Sequence, residues 1–130
     1  MPIRSILLVD DDTDDQYVFK EALHTVDPSV TVDTAMDGIE AVEKLSGIDS
    51  LPQLIFLDLN MPRMNGKGFL KEISSSDTLS KIPVIVYSTS SNPTDIAETK
   101  ALGATDFITK PDSYDKLCAM LSSTLSKSYL

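Results

Sequence analysis

In residues 6–12, ILLVDDD, four apolar residues run directly into three aspartates. The pattern recurs in residues 54–58, LIFLD, and a third run, residues 107–109 (FIT), is followed by Lys110 and Pro111. Short apolar runs bounded by polar residues are typical of buried parallel strands. Because ligands of open α/β sheets bind beyond the carboxyl ends of the strands, we predict that these carboxylates and the ammonium group meet at one edge of a sheet.

Segments with strand and helix patterns alternate along the whole chain. Apolar residues spaced by three and four indicate helices, and short apolar or alternating runs indicate strands. The predicted strands cover residues 3–9, 30–34, a run ending at 58, 84–87 and 105–109, and the predicted helices cover residues 14–25, 37–47, a stretch from 65 onward, 92–103 and 114–125. Five strands alternating with five helices imply an α/β domain in which helices cover both faces of a parallel sheet, a doubly wound three-layer fold.

Capping patterns mark the starts of several predicted helices. Thr13 with Gln16 and Asp37 with Glu40 have the spacing of a capping box. Asn92 precedes a proline, which suits the first position of a helix because its missing N–H has no partner there anyway. These patterns predict the points at which the chain leaves the strand ends and enters a helix.

Composition limits the classes of function. The chain has 130 residues, 42% of them hydrophobic, and a net charge of −9, so we expect one domain over residues 1–130 with no output domain. A nucleic-acid binder normally has a basic face, and a membrane span needs about 20 apolar residues, so neither direct nucleic-acid binding nor a membrane is expected. Cys118, the single cysteine, is interpreted as a small core residue, and without a signal-peptide pattern the chain is expected in the cytoplasm.

The predicted edge of the sheet combines the groups that phosphoryl chemistry needs. Carboxylates within about 4 Å repel one another by roughly 4 kcal/mol at an effective dielectric of 20, and a divalent cation offsets that repulsion. Mg²⁺ prefers oxygen ligands, which Asp10, Asp11 and Asp58 would supply. An aspartate can also attack phosphorus to form an acyl phosphate. Lys110 and Ser88, both at strand ends, would then bind the remaining phosphoryl oxygens.

The acidic run has two other interpretations. Asp12, Asp14 and Asp15 lie at a helix start, where acids favour the helix dipole, and we interpret them as solvated side chains. Asp10, Asp12, Asp14 and residue 21 also occupy positions 1, 3, 5 and 12 of an EF-hand loop. We reject that pattern, because Asp15 stands where the loop requires glycine and an apolar strand precedes it.

Four segments together resemble one protein family. They are LLVDDD (residues 7–12), FLDLNMPRMNG (56–66), VIVYSTS (84–90) and DFITKP (106–111). In this order and spacing they resemble the receiver domain of two-component response regulators, and the resemblance covers the whole chain. It implies a flavodoxin-like (βα)5 fold with a five-stranded parallel sheet in the strand order 2-1-3-4-5.

The resemblance implies a role for each residue of the acidic site. Asp58 aligns with the phosphoacceptor, and Asp10 and Asp11 align with the acidic pair that holds Mg²⁺, Asp11 directly and Asp10 mainly through water. Asn60 would offer its backbone carbonyl to the metal. Arg63, in the turn that follows, is interpreted as a solvated side chain.

The resemblance also implies a switch. Ser88, in place of the commoner threonine, aligns with the residue whose hydroxyl turns toward the phosphoryl group, and Thr89 with the position that tunes access of water to the acyl phosphate. Lys110 aligns with the lysine that pairs with phosphoryl oxygens, and its bond to Pro111 is usually cis in the family. Phe107 stands at the switch aromatic without the tyrosine hydroxyl, so switching and plain core packing both remain open for it.

The function implied is that of a stand-alone receiver. It would take a phosphoryl group from a phosphohistidine of a sensor histidine kinase or histidine phosphotransfer protein, approaching near the first helix and the loop after Lys110. Phosphorylation would remodel the face formed by the fourth helix, fifth strand and fifth helix, which a downstream protein reads. No enzymatic activity beyond self-phosphorylation and autodephosphorylation is expected, and the chain is expected to be a monomer or weak dimer. An effector, a phosphate shuttle and a phosphate sink remain open.

Two alternatives use the same residues differently. A haloacid-dehalogenase-like phosphohydrolase also has a strand-end aspartate nucleophile, but it needs a second aspartate two residues later, where this chain has Asn60. A phosphorylation-incompetent pseudo-receiver would use the fold only as a binding surface. Nothing in the sequence favours it, because Asp58, Ser88 and Lys110 are all present.

Overall fold

The sheet has five parallel strands in the order β2-β1-β3-β4-β5, which confirms the predicted topology. The structure is a computed structural model that describes residues 3–47, 50–61 and 63–127. The strands are β1 (Ser5–Val9), β2 (Thr31–Ala35), β3 (Leu54–Leu57), β4 (Val84–Ser88) and β5 (Asp106–Thr109). Since Val9 of β1 pairs with Leu57 of β3, the residues that follow these two strands lie side by side.

Five α-helices connect the strands. They are α1 (Thr13–Val26), α2 (Gly38–Ser46), α3 (Gly66–Ser74), α4 (Pro93–Ala101) and α5 (Tyr114–Ser126), and a short 3-10 helix at Leu79–Lys81 was not predicted. Helices α1 and α5 pack together, and so do α2 and α3. No helix in the described part of the chain is long and apolar enough to cross a membrane.

Alternating residues of the central strands supply two apolar clusters, one on each face of the sheet. On β1, Leu7 and Val9 join the cluster that includes residues of α2 and α3, whereas Ile6 and Leu8 join the cluster that includes residues of α1 and α5. All four residues of β3 are buried, as are all five of β4. Cys118 packs at the edge of the second cluster, as predicted for a core residue. Burial on both faces explains why the strands read as continuous apolar runs.

The start of α1 differs from the prediction by one residue. Asp12, not Thr13, is the N-cap, and its carboxylate accepts hydrogen bonds from the backbone N–H groups of Asp14 and Asp15. Gln16 does not complete a capping box, because its side-chain amide donates to the backbone carbonyl of Asp10. The first turn of α1 is therefore fastened directly to the end of β1.

Candidate functional site

Three carboxylates meet at the carboxyl end of the sheet. Asp10 follows β1, Asp58 follows β3, and each offers an oxygen within 4.8 Å of the others and of an oxygen of Asp11. The backbone fixes two of them, because the N–H of Asp10 donates to the carbonyl of Ala35 at 3.0 Å and that of Asp58 to the carbonyl of Val9 at 2.9 Å. Asp10 and Asp58 are buried, whereas Asp11 is exposed.

Burial makes this cluster electrostatically costly. Desolvation raises the pKa of Asp58, which the charge of Lys110 lowers and the charge of Asp10 raises again. Desolvation likewise raises the pKa of Asp10, against hydrogen bonds from the Asp12 backbone and from Lys110. A set of oxygen donors with excess negative charge is the environment that hard divalent cations such as Mg²⁺ select. The residues therefore fit a divalent cation.

Lys110 lies over the cluster from the end of β5. Its Nζ is 2.9 Å from Asp10 Oδ2, 2.8 Å from Asp15 Oδ2 and 3.8 Å from Asp58 Oδ2. Burial by itself would lower the pKa of Lys110, but hydrogen bonds to Asp15 and Asp10 raise it, so the side chain stays charged. The interpretation of Asp15 as a solvated acid is therefore wrong, because its carboxylate pairs with Lys110 across the site.

Ser88 and Thr89 lie next to Lys110, at the end of β4. Ser88 is fully buried, and its hydroxyl oxygen accepts a hydrogen bond from the backbone N–H of Ser90 at 3.2 Å. The backbone N–H of Lys110 donates to the carbonyl of Ser88 at 2.8 Å, which joins the two strand ends. Thr89 lines an open groove of about 460 Å³ together with Asp15 and Lys110.

Phe107 lies in β5, whereas Asn60 follows β3. Phe107 is partly buried against the apolar cluster on the α2 and α3 face, and it also lines a cavity of about 250 Å³ between α4 and β5. Asn60 is exposed two residues after Asp58, and its backbone N–H faces the Asp58 carboxylate and lowers the pKa of that group.

The peptide bond from Lys110 to Pro111 is trans, since the described residues contain no cis peptide bond. The cis bond that the resemblance implied is therefore wrong for this chain. The trans isomer is the lower in energy before proline.

Arg63 is the second charged residue that the sequence interpretation misjudged. Its Nε lies 2.7 Å from Asp37 Oδ2 and its Nη2 lies 3.1 Å from Asp37 Oδ1. The Asp37 carboxylate also accepts from the backbone N–H of Glu40 at 2.9 Å, which confirms Asp37 as the N-cap of α2. Arg63 is therefore a paired side chain, although 55% of its side-chain surface still contacts solvent.

The raised pKa values predict a stability effect of Asp58→Asn. An acid with a raised pKa binds its proton more tightly in the folded chain, so the wild type loses stability as pH rises from the ordinary value of 3.8 through the raised one. We expect the variant to melt about 4 °C above the wild type at pH 7, from about 1 kcal/mol that the buried carboxylate loses through desolvation and, to a smaller extent, through repulsion by Asp10. The gain should shrink as the pH falls and vanish only well below 3.8, where the carboxyl is protonated in both the folded and the unfolded wild type.

Magnesium provides the control for this thermal measurement. A Mg²⁺ ion held by this cluster would stabilise the folded wild type by mass action, so the advantage of Asp58→Asn at pH 7 should shrink or reverse when Mg²⁺ is added. Melting curves followed by circular dichroism, with and without Mg²⁺, would test both parts. A variant that melts below the wild type in metal-free buffer at pH 7 would contradict the conclusion that the charged Asp58 carboxylate destabilises the folded chain.

Comparison with known proteins places these residues in a family context. The model of the response regulator receiver domain family matches residues 6–122. Response regulator Rcp1 of Synechocystis sp. is 32% identical over 125 residues, which are 92% of this chain and 85% of Rcp1. Other curated relatives are much longer: the chain spans 15% of the sensor histidine kinase CheAY of Helicobacter pylori and 30% of a protein-glutamate methylesterase of Myxococcus xanthus.

The chain is also similar in structure to solved response regulators. The phosphorylated cyanobacterial phytochrome response regulator RcpA superposes with a TM-score of 0.86 at 36% identity, covering 94% of this chain and 91% of RcpA. The Mn²⁺-bound form of Rcp1 superposes with a TM-score of 0.85 at 30% identity, covering 98% of both chains. One similar structure is thus phosphorylated and the other binds a divalent metal ion.

Proposed function

This chain belongs to the response regulator receiver domain family, and from that membership we propose that Asp58 accepts a phosphoryl group and thereby switches a protein-binding surface. The observation that carries the proposal is the cluster of Asp10, Asp11 and Asp58 with the Lys110 ammonium 3.8 Å from Asp58. A nucleophile, a cation site and a fixed positive charge occur together there, which is what phosphoryl transfer to a carboxylate requires.

The transfer itself needs little from the protein beyond position and charge. A carboxylate oxygen of Asp58 attacks phosphorus, the P–N bond of a phosphohistidine breaks, and its electron pair returns to the imidazole. Mg²⁺, held by Asp10, Asp11, Asp58 and the backbone carbonyl of Asn60, would neutralise the phosphoryl oxygens. Lys110 supplies a further positive charge, and to reach the phosphoryl group it exchanges its contacts with Asp10 and Asp15 for the new oxygens.

The switch is proposed to begin at Ser88. When its hydroxyl turns toward the phosphoryl group, it gives up the hydrogen bond from Ser90, whose own hydroxyl donates to Asp95 Oδ2 at 3.0 Å. Asp95 in turn pairs with Lys67 of α3 at 2.8 Å. These bonds link the end of β4 to α3 and α4. We therefore expect movement of Ser88 to loosen α4.

The downstream partner is proposed to read the α4-β5-α5 face. Helix α4 is weakly held, because among its described residues only Thr99 is buried. A pocket of about 250 Å³, open on one side, lies beside Phe107 between α4 and β5, and we propose that the ring moves into it. A weakly packed helix beside such a pocket can serve as the two-state element that a local charge event biases.

The phosphodonor is proposed to be a sensor histidine kinase or histidine phosphotransfer protein that approaches the open groove beside Lys110. The groove is lined by residues of α1 and of the loop after β5. Tyr17 on α1 is 66% exposed, and Val18 beside it and Tyr114 across the groove are also exposed. Exposed aromatic residues of this kind often anchor protein interfaces. Such signalling donors and the single cysteine favour a cytoplasmic location.

Incubation with acetyl phosphate tests the proposed chemistry without the natural donor. We expect intact-mass spectrometry to detect a single phosphoryl adduct on the wild type when Mg²⁺ is present, and none when EDTA replaces it. Beryllium fluoride, which mimics the acyl phosphate but does not hydrolyse, distinguishes rapid hydrolysis from incompetence. A chain that neither gains the adduct nor binds beryllium fluoride is a pseudo-receiver, and the proposal then fails.

A further inference from the structure

Arg63 has an unusual backbone conformation for its residue type. Its φ is 60°, and among the described residues it is the one non-glycine residue with a positive φ. L side chains rarely adopt this left-handed region, and such residues persist only where surrounding contacts fix them. The segment after β3 therefore adopts a conformation that something outside the segment must hold.

The Arg63–Asp37 ion pair supplies that constraint. Two nitrogens of the guanidinium contact both carboxylate oxygens of Asp37, at 2.7 Å and 3.1 Å. The Asp37 side chain is only 6% exposed, and the hydrogen bond from Arg63 is the largest cause of its lowered pKa. A two-pronged pair with a buried carboxylate fixes orientation as well as distance.

A backbone contact strengthens the same junction. The N–H of Gly38, the first residue of α2, donates to the carbonyl of Met64 at 3.0 Å. A Cβ on Gly38 would lie 2.7 Å from Cγ of Met64 and 2.8 Å from its carbonyl oxygen. Only glycine permits this close approach, so the β3–α3 loop and the start of α2 are in direct contact.

The other end of the loop is joined to the phosphoacceptor strand. The N–H of Gly66 donates to the carbonyl of Leu59 at 3.0 Å, and a Cβ on Gly66 would lie 2.6 Å from the backbone oxygen of Asp58. The loop that carries Asn60 is thus held at Gly66 by its own strand and at Arg63 by α2.

We propose that Arg63 is a positioning residue that acts through this loop on the metal site, a role that rests on the function proposed above. Its pair with Asp37 fixes the loop against α2 and so holds the Asn60 backbone and Asp58 in place relative to Asp10 and Asp11. Arg63 does not itself touch the reacting groups. Losing the pair allows the loop to relax and weakens the site for the cation before it alters the fold.

The test is Mg²⁺ binding measured by isothermal titration calorimetry on the whole protein. Loss of a residue that orients metal ligands without touching the metal typically weakens metal affinity about 10–100-fold, and we expect Arg63→Ala to fall at the lower end of that range. Phosphorylation by acetyl phosphate should slow at limiting Mg²⁺ and recover at saturating Mg²⁺, because the defect is one of affinity. Arg63→Lys keeps the positive charge but lacks the two guanidinium nitrogens that contact both oxygens of Asp37, so it should recover only part of the Mg²⁺ affinity.

Two further variants separate positioning from general destabilisation. Asp37→Asn keeps an effective N-cap and removes the ion pair, so it should weaken Mg²⁺ binding as Arg63→Ala does, and the double variant should be no worse than either. Lys44→Ala removes a different ion pair of α2, in which Lys44 Nζ lies 3.1 Å from Asp33 Oδ1, and it should leave Mg²⁺ affinity unchanged.

Two results would overturn the inference. One is a folded Arg63 variant that binds Mg²⁺ within about twofold of the wild type, and the other is a double variant in which the two losses of affinity multiply. A wild type that binds no Mg²⁺ and gains no adduct would overturn the proposed function instead.

Discussion

Asp58→Asn is expected to abolish phosphoryl labelling by acetyl phosphate while leaving the fold intact. An amide oxygen is too weak a nucleophile to attack phosphorus, and losing the nucleophile of a covalent mechanism costs at least about 10³-fold in rate. The side chains have nearly the same shape, and the substitution removes a charge from a buried cluster whose ionisation is already unfavourable. Intact-mass spectrometry after equal incubations of variant and wild type measures the loss directly.

The acids around Asp58 provide the controls for this experiment. Asp14→Asn changes an exposed acid at the start of α1 and should be labelled like the wild type. Asp11→Asn should be labelled more slowly and need more Mg²⁺, because it removes a proposed metal ligand and leaves the proposed acceptor in place. An Asp58→Asn protein that still reached full labelling would show that the phosphoryl group resides on another side chain.

The convergence of Asp10, Asp58 and Lys110 was predictable from the sequence because parallel strands impose it. Each residue directly follows a short apolar run, and the carboxyl ends of neighbouring parallel strands must lie at the same edge of the sheet. Strand order then places Asp10 beside Asp58, because β1 and β3 are neighbours, whereas Lys110 follows β5 and reaches both acids across the end of β4 by the length of its side chain. The shared edge needed no knowledge of side-chain conformation, which explains why that part of the prediction was confirmed.

The pairs made by Asp15 and Arg63 were not predictable in the same way. Asp15 pairs with a lysine 95 residues away, and Arg63 with an aspartate 26 residues away. The contact of Asp15 depends on the rotation of α1 about its axis, and the contact of Arg63 depends on the conformation of the loop after β3. Neither property produces a periodic pattern of residues in the sequence. A charged residue in a turn or at a helix start is usually solvated, so the pattern favours the wrong interpretation for both.

The one-residue error at the start of α1 has a local cause. Asp12 and Thr13 are both good capping residues, so residue type does not decide between them. The position is fixed by Asp10, whose carboxylate accepts a hydrogen bond from the backbone N–H of Asp12 at 3.0 Å. A residue of the acidic site therefore also helps to set the start of the helix.

Lys110→Ala is expected to separate phosphorylation from switching. The variant keeps Asp58 and the metal ligands, so it should bind Mg²⁺ and still accept a phosphoryl group, although more slowly. It loses the cation that pairs with Asp10, whose side chain is only 1% exposed. Removing one partner of a buried ion pair typically costs about 3–5 kcal/mol, so we expect a lower melting temperature that Mg²⁺ largely restores.

The defect in switching can be measured without a downstream partner. In the wild type, beryllium fluoride with Mg²⁺ should shift the backbone amide resonances of Ser88, Thr89 and Phe107, because the proposed switch moves the Ser88 hydroxyl and the Phe107 ring. In Lys110→Ala, which lacks the cation that holds the phosphoryl oxygens, beryllium fluoride should bind while these resonances stay near their resting positions. Lys116→Ala removes an exposed lysine of α5 that pairs with Asp112 at 3.0 Å, and it should respond like the wild type. Full amide shifts in Lys110→Ala would mean that the lysine holds charge at the site but does not couple it to Ser88 and Phe107.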